Sequence, residues 1–369
     1  MATIQSIKEK IQGLINKSNE ATGGNDTDLT TAIDTLISNQ GGGGAVKEKA
    51  VNFWDYDGTL LYSYTLAEAR ALTSLPELPT YEDTRFYASG WTITLANLQA
   101  VEGFEEITVK LTSNDTTYPQ IALFVVDMCK TTDNTMSLTT YKRTSSYKAV
   151  IDWGDGTTRQ TIGSTSATTY SHAYTERKKY TIILMSEAKS GSVNFGNGTE
   201  SMFIPSTVLK AIHTSSSYHE VSKYAFQSNY NLQFAAAYKT NDYMFASCFS
   251  LQKFIMMTHA ETLSSYMFNY AYAIGRMSVS YPMSNMFQGT NNLTHFKCTN
   301  ANNGGGIYSI PQGLKVLILS ATSMMTYSAN IPVGTLIYVR DELVDTYKAN
   351  SKWSAHANYI FPLSEYTDE

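Results

Sequence analysis

The sequence predicts a mainly β, multidomain protein. Its parts are short N-terminal helices, a β-hairpin module, a β-sandwich and a degenerate repeat solenoid with a C-terminal capping helix. Three observations carry this prediction. An aromatic–aliphatic beat recurs through the C-terminal half. Turn residues separate short alternating or apolar runs through the middle of the chain. A glycine run, Gly41 to Gly44, follows a short N-terminal segment with helical periodicity and reads as a flexible hinge.

The N-terminal segment carries Ile4, Ile7, Ile11 and Leu14 at 3-4-3 spacing, an a/d stripe suited to packing against neighbours in an oligomer or a larger assembly. Gly23 and Gly24 end it, and Asp26, Thr27 and Asp28 can cap a second short helix carrying Leu29, Ile33, Leu36 and Ile37. Residues 50–65 read AVNFWDYDGTLLYSYT, with Asp57-Gly58 between apolar runs, which is a hairpin signal. A helix is expected from Leu66 to Leu72, ended by Pro76 and Pro79. A short strand is expected to begin at Gly90-Trp91, followed by a helix over Leu95 to Val101. From residue 104 the chain reads as all-β: Ile107, Val109 and Leu111 alternate, Ile121 to Val126 is continuously apolar, and Ala149 to Trp153 and Tyr180 to Leu184 are further strands. The boundaries follow as 1–44, 45–103, 104–198, 199–335 and 336–369.

In the beat, an aromatic residue is followed six positions later by an aliphatic one, and usually three later by another apolar residue. The pairs are Phe203 and Leu209, Phe226 and Leu232, Phe245 and Leu251, Phe268 and Ile274, Phe287 and Leu293, and Tyr308 and Leu314. The aromatic positions lie 23, 19, 23, 19 and 21 residues apart, by subtraction. A period near twenty means stacked units, none able to bury its apolar side alone. These residues are expected to form the repeat core, which leaves recognition to the loops between them.

Bulk composition removes several function classes. Charged residues make up 16% of the 369 and the formal net charge is −5, so no basic footprint for nucleic acid exists. No apolar stretch approaches the roughly 18 residues of a membrane-spanning helix, and MATIQSIKEKIQGLINKSNE lacks the apolar core of an export signal. The 26 tyrosines suit half-buried strands and exposed recognition surfaces alike. Cys129, Cys248 and Cys298 show no metal or redox spacing, and are expected to be free and mostly buried thiols of a chain folded in a reducing cytosol.

Two constellations invite a chemical reading. Asp55-Tyr56-Asp57-Gly58-Thr59 resembles the DxDGT motif of haloacid-dehalogenase-like phosphatases, which implies an Asp nucleophile beside Mg²⁺. That fold needs βαβ alternation after the motif, whereas Tyr62-Ser63-Tyr64 continues a hairpin, so a turn is the better reading. Ile151-Asp152-Trp153-Gly154-Asp155-Gly156-Thr157, with Ser171-His172-Ala173-Tyr174 and Lys179-Tyr180-Thr181-Ile182, resembles the PKD-like β-sandwich family. The resemblance implies an immunoglobulin-like spacer over residues 104–190. Asp152 and Asp155 have the chemistry to hold Ca²⁺, but bonding to turn amides is the expected role. His172 has no nucleophile placed beside it, and His213, His219, His259, His295 and His356 show no metal-ligand spacing.

The units YAFQSNYNLQ, YMFASCFSLQKF, YMFNYAYAIGRM and NMFQGTNNLTHF resemble BspA-type leucine-rich repeats, over residues 200–366. Ile337-Tyr338-Val339, the segment Asp341 to Asn350, Trp353 and the tail Pro362 to Tyr366 look like the terminal cap of such arrays. The whole order of segments, and the first 65 residues most specifically, is similar to tail-tip and fibre proteins of phages and prophages of gut bacteria. That resemblance implies a non-enzymatic virion structural protein of the tail or baseplate, a tail fibre or receptor-binding protein attaching to the bacterial host surface. It further implies a homotrimer assembled in the host cytoplasm, joined to other tail or baseplate proteins through its N-terminus, and binding a host cell-surface glycan or protein. No cofactor, metal, catalytic residue, nucleic acid or membrane insertion is expected, and receptor-binding residues stay unassigned. A structural baseplate or decoration adaptor without receptor contact, and a bacterial surface adhesin, are the alternatives.

Overall fold

A computed structural model describes residues 46–188, 193–215, 219–257, 264–279, 285–299, 306–307, 310–327 and 330–367, together with Asn16. Ile4, Ile7, Ile11, Leu14 and Tyr308, and the expected N-terminal helices and glycine hinge, lie outside the described residues. Among the described residues the protein is mainly β with few helices, and its C-terminal part is a β-solenoid-like stack.

The first sheet is built from β1 (Val51–Trp54), β2 (Leu60–Tyr64), β3 (Phe86–Trp91) and β4 (Glu105–Ser113), in the order β2-β1-β4-β3. Short helices α1 (Leu66–Arg70) and α2 (Leu95–Gln99) fill the connections. The Asp-Gly signal does form a hairpin: Asp55 N–H donates to Thr59 O at 2.8 Å, and Gly58 adopts φ +89°, the left-handed region a side chain disfavours. α1 is held by a capping box, in which the Thr65 hydroxyl accepts from Glu68 N–H and the Glu68 carboxylate accepts from Thr65 N–H. Two expectations change here. The strand at Trp91 begins at Phe86 and ends, rather than starts, at Gly90-Trp91. The strand carrying Ile107, Val109 and Leu111 lies in this first sheet, parallel to β1 and antiparallel to β3, rather than in the sandwich. Alternation marks a half-buried strand without saying which neighbours it meets.

The middle of the chain supplies β5 (Gln120–Asp127), β6 (Thr135–Lys142), β7 (Ala149–Asp152), β8 (Gln160–Thr161), β9 (Thr168–Ala173), β10 (Lys179–Ser186), β11 (Val193–Phe195) and β12 (Phe203–Ile204). Two sheets pack face to face, with Phe124, Ile151, Ile182 and Leu184 of one meeting Leu138, Val193, Phe195 and Phe203 of the other. Strand β5 is apolar from Ile121 to Val126 because both its faces are buried there. Ala122, Phe124 and Val126 point into this core, whereas Ile121 and Leu123 point out against Phe53, Ile107 and Val109 of the first sheet.

The solenoid starts without a break in pairing. β13 (Leu209–Thr214) pairs antiparallel with β5, β14 (His219–Val221) pairs parallel with β11, and β15 (Phe234–Ala237) and β16 (Lys253–Met256) add to β13 in parallel. The strands β17 (Arg276–Val279), β18 (His295–Cys298), β20 (Val316–Leu319) and β22 (Leu336–Val339) continue the parallel stack, with the short β19 (Gly306–Ile307) and β21 (Thr326–Tyr327) paired to one side. One apolar core therefore runs from Ala122 to Ile360.

Each coil also carries a turn segment, and these segments form a second backbone ladder. Tyr243 N–H donates to Ser265 O at 3.3 Å, Phe245 N–H to Met267 O at 3.0 Å and Ser247 N–H to Asn269 O at 2.7 Å. In each turn the residues two before and two after the repeat phenylalanine are left-handed: Tyr224 and Ser228, Tyr243 and Ser247, Tyr266 and Tyr270, and Asn285 and Gly289. That conformation costs about 1–2 kcal/mol for most residues, so the ladder bonds must over-determine it. Phe226, Phe245, Phe268 and Phe287 stack at 5.6, 5.8 and 6.3 Å between centroids.

The open end is closed by α3 (Val344–Ala349), by Trp353, and by β23 (Ile360–Pro362), which pairs parallel with β22. Tyr347 and Trp353 are fully buried. The Tyr347 hydroxyl accepts from Met325 N–H at 2.7 Å, and Trp353 Nε1 donates to Met325 O at 2.9 Å. These bonds satisfy the backbone of the last coil while the rings cover it.

Candidate functional site

A parallel stack has an outer strand face and an outer turn face, and among the described residues it is the strand face that other parts of the chain cover. The strand face is covered by the first sheet. Phe234, Ala236, Ile255 and Met257, together with Val125 of β5, pack against Trp54 of β1, and further along the stack Val316 and Ile318 pack against Phe104, just before β4, and Leu363 of the C-terminal cap. The hairpin tip presses close: a Cβ on Gly58 would lie 2.7 Å from Phe234 Cβ.

Between these apolar patches lies a buried ionic cluster. Glu106 accepts from Trp54 Nε1 at 2.6 Å, Arg276 Nε at 2.8 Å and Lys253 Nζ at 3.0 Å. One residue earlier on β4, Glu105 accepts from Lys297 Nζ at 2.8 Å, and Lys297 also donates to Phe104 O at 3.0 Å. Burial alone would raise the Glu106 carboxyl, but Lys253, Arg276 and Trp54 outweigh it and hold it below its ordinary value. Successive coils thus each contribute one cation to an acidic pair on β4. Above the cluster, Asp57, Thr59, Lys210, Gln233 and Gln252 line a cleft of about 470 Å³. Its other cations, Lys253 and Arg276, are already neutralised, by Glu48 and Glu106 and by Glu106 respectively.

The turn face is open and carries aromatic residues in register. Tyr230, Phe249 and Tyr272 each follow a repeat phenylalanine by four positions, and they stack at 5.3 and 5.5 Å. They are 44%, 43% and 41% exposed, and Tyr270 beside them is 41% exposed, so this row lies outside the core. A second, half-buried row runs through Tyr224, Tyr243 and Tyr266 at 5.0 and 4.8 Å, with Lys223 Nζ over the first two rings at 5.3 and 5.2 Å. The tyrosines of the second row, like Tyr270, are left-handed, so the same backbone conformation recurs along the row.

The repeat residues Phe203, Leu209, Phe226, Leu232, Phe245, Leu251, Phe268, Ile274, Phe287, Leu293 and Leu314 are all buried in the shared core. The exposed row had a sequence signal, an aromatic four positions after each of Phe226, Phe245 and Phe268. The ionic cluster had none, because its partners lie far apart in sequence.

The carboxylates and the histidine singled out in the sequence make the following bonds. Asp55 accepts from the Tyr81 hydroxyl and from Tyr56 N–H, both at 2.7 Å, and burial pushes its carboxyl up to about 6. Asp57 accepts from Thr59 N–H at 2.9 Å inside the turn. Asp152 accepts from Arg85 at 2.5 Å and Arg159 at 3.2 Å, so two guanidinium groups occupy the oxygens a cation would need. Asp155 accepts from Thr157 and lies 2.7 Å from His172 Nε2, whose ring stacks on Trp153. Among the described residues no group of three or more His, Cys, Asp or Glu is placed to hold a metal ion. Of the three cysteines, Cys248 and Cys298 are buried but Cys129 is exposed. No described helix is long and apolar enough to cross a membrane. Compared with protein-family models, characterised proteins and solved structures, the chain matches none.

Proposed function

We propose that this chain is a non-enzymatic attachment protein of a phage tail or baseplate, contacting the bacterial host surface through the turn face of its solenoid. The observation that carries the binding part is the exposed row Tyr230, Phe249 and Tyr272, with Tyr270 beside it. Exposed aromatics concentrated on one face are the composition of recognition surfaces, because each ring offers large contact area at low entropic cost. The covered strand face supports the same assignment by elimination, since it is already occupied by the first sheet.

The tail assignment rests on the resemblance of the segment order to tail-tip and fibre proteins. In this reading the PKD-like segment is a spacer, the BspA-type repeats display the recognition face, and the C-terminal cap protects the last coil. The N-terminal segment with Ile4, Ile7, Ile11 and Leu14 would join the tail and other copies of the chain in a trimer. Several copies on one particle multiply a modest single-site affinity. The test is competition. Purified chain, displayed multivalently on beads, should bind cells of a gut-bacterial panel and block adsorption of particles that carry it. Absence of both binding and competition would contradict attachment and favour the adaptor role.

A further inference from the structure

The exposed aromatic row ends at Tyr272, and the next coil replaces it with Asn291 at the same offset from Phe287. Here the surface changes character. Asn285, Gln288 and Asn291 of this turn, with Gln312 of the following coil, line a cleft of about 380 Å³, with Phe287, Gly289 and Ile310 as its other described walls. Among the described residues no charged side chain lines it. A space of this size lies in the range of small-ligand sites, roughly 300–1,000 Å³.

The chemistry of the lining selects a ligand class. A primary amide both donates and accepts, so four of them complement groups that do the same, namely hydroxyls and acetamides. A phosphate or carboxylate would ask for cationic donors, and a metal ion for carboxylates; the cleft supplies neither. The amides are also unspent. Asn285 Nδ2 donates to the Tyr266 hydroxyl at 2.9 Å, leaving its oxygen, and the side chains of Gln288, Asn291 and Gln312 make no hydrogen bond among the described residues.

The cleft adjoins rings. Gly289 has φ +75°, and a Cβ there would come within 2.5 Å of Tyr270 Cδ1, so the bare glycine is what lets the Tyr270 ring lie against this turn. Tyr272 stands one rung away. An amide-lined hollow beside exposed aromatic rings offers the two contacts a sugar ring needs, hydrogen bonds to its hydroxyls and apolar contact to its C–H groups. We propose that this cleft seats one or two units of a neutral glycan, and that the glycan continues over Tyr272, Phe249 and Tyr230. The proposal rests on the attachment reading above and names its ligand.

The test uses the full chain and bacterial cells that bind it. Cells are treated with periodate, which cleaves vicinal diols, or with protease, and the chain is also titrated with neutral oligosaccharides (hexose and N-acetylhexosamine oligomers) and with anionic polygalacturonate. Periodate should abolish binding and protease should not. At least one neutral oligosaccharide should bind, with little dependence on salt. Asn291→Ala with Gln288→Ala should weaken it by about tenfold or more, the scale of one or two lost hydrogen bonds. Asn291→Asp with Gln288→Glu keeps the size but removes the donors, so it should weaken binding similarly. Both pairs are exposed and should leave the thermal midpoint unchanged. Binding lost to protease but not periodate, preference for the anionic probe, or affinity unmoved by either pair would overturn the glycan proposal while leaving attachment standing. Absence of cell binding by the unsubstituted chain would sink both.

Discussion

Replacing Glu106 by Gln tests whether the first sheet and the solenoid are locked together by charge. The side chain keeps its shape, and its oxygen can still accept from Trp54. The charge facing Lys253 and Arg276 is lost, and both cations remain buried, with side chains 8% and 12% exposed. Removing one member of a buried ionic group costs about 3–5 kcal/mol, because the partners are left uncompensated. Lys253 retains Glu48 at 2.9 Å, and Arg276 retains the Lys49 carbonyl at 2.6 Å, which places the expected loss near the lower end, about 3 kcal/mol. Urea unfolding followed by tryptophan fluorescence reads it, since Trp54 sits in the cluster. In a Lys253→Met background, one stranded cation is gone, so the same substitution should cost at least about 1 kcal/mol less. A Glu106→Gln loss within about 0.5 kcal/mol of zero, the scale of surface changes, would refute the claim that this cluster holds the two parts together.

Further outcomes follow from other sites. Asp55 is held at about 6 against an ordinary 3.8, so its neutral form is the one the fold prefers. Its contribution is complete below about pH 4 and is lost as pH rises through 6, a cost of up to about 3 kcal/mol above that. Asp55→Asn, which keeps the acceptor for Tyr81, should therefore stabilise at pH 8 and make little difference at pH 4; equal effects at both pH values would contradict this. Trp353→Ala should cost about 3–5 kcal/mol as it opens the last coil, measured by thermal unfolding, and a loss under 1 kcal/mol would mean the cap is not closing the core. Gly58→Ala should destabilise by about 1–3 kcal/mol, because it meets both a left-handed backbone and the Phe234 side chain. In native protein a thiol reagent should titrate Cys129 quickly and spare Cys248, whose thiol burial pushes up to about 12, and Cys298; fast reaction of all three would contradict the burial pattern.

The stacking was legible in the sequence because it is local. The Phe-to-Leu step falls within one coil, and each coil repeats the same demand on residue type. The hairpin was legible for the same reason, since Asp57-Gly58 meets a backbone requirement directly. What joins distant segments was not. Alternation in Ile107, Val109 and Leu111 reports one buried face, but nothing in it says that β4 sits between β1 and β3 or that Glu106 faces Lys253 across 147 positions. The left-handed tyrosines were hidden too, because tyrosine has no preference for that region and only the turn ladder imposes it. Of the surface, the aromatic row was readable as an offset from the phenylalanines. The amide cleft was not, because Gln312 comes from a different coil than Asn285, Gln288 and Asn291.

The central claim is that the turn face, and not the covered strand face, meets the host surface. Its most direct measurement is cell binding by the chain with Tyr230, Phe249 and Tyr272 all replaced by Ala, compared with the unsubstituted chain in the same multivalent format. These rings are more than two-fifths exposed, so the fold should survive, as circular dichroism would verify. Stacking of a nucleobase on an aromatic ring contributes about 1–3 kcal/mol, and loss of only about 1.4 kcal/mol in total across the three rings would already be tenfold, so binding should fall at least tenfold. Undiminished binding by a folded triple variant would contradict the account.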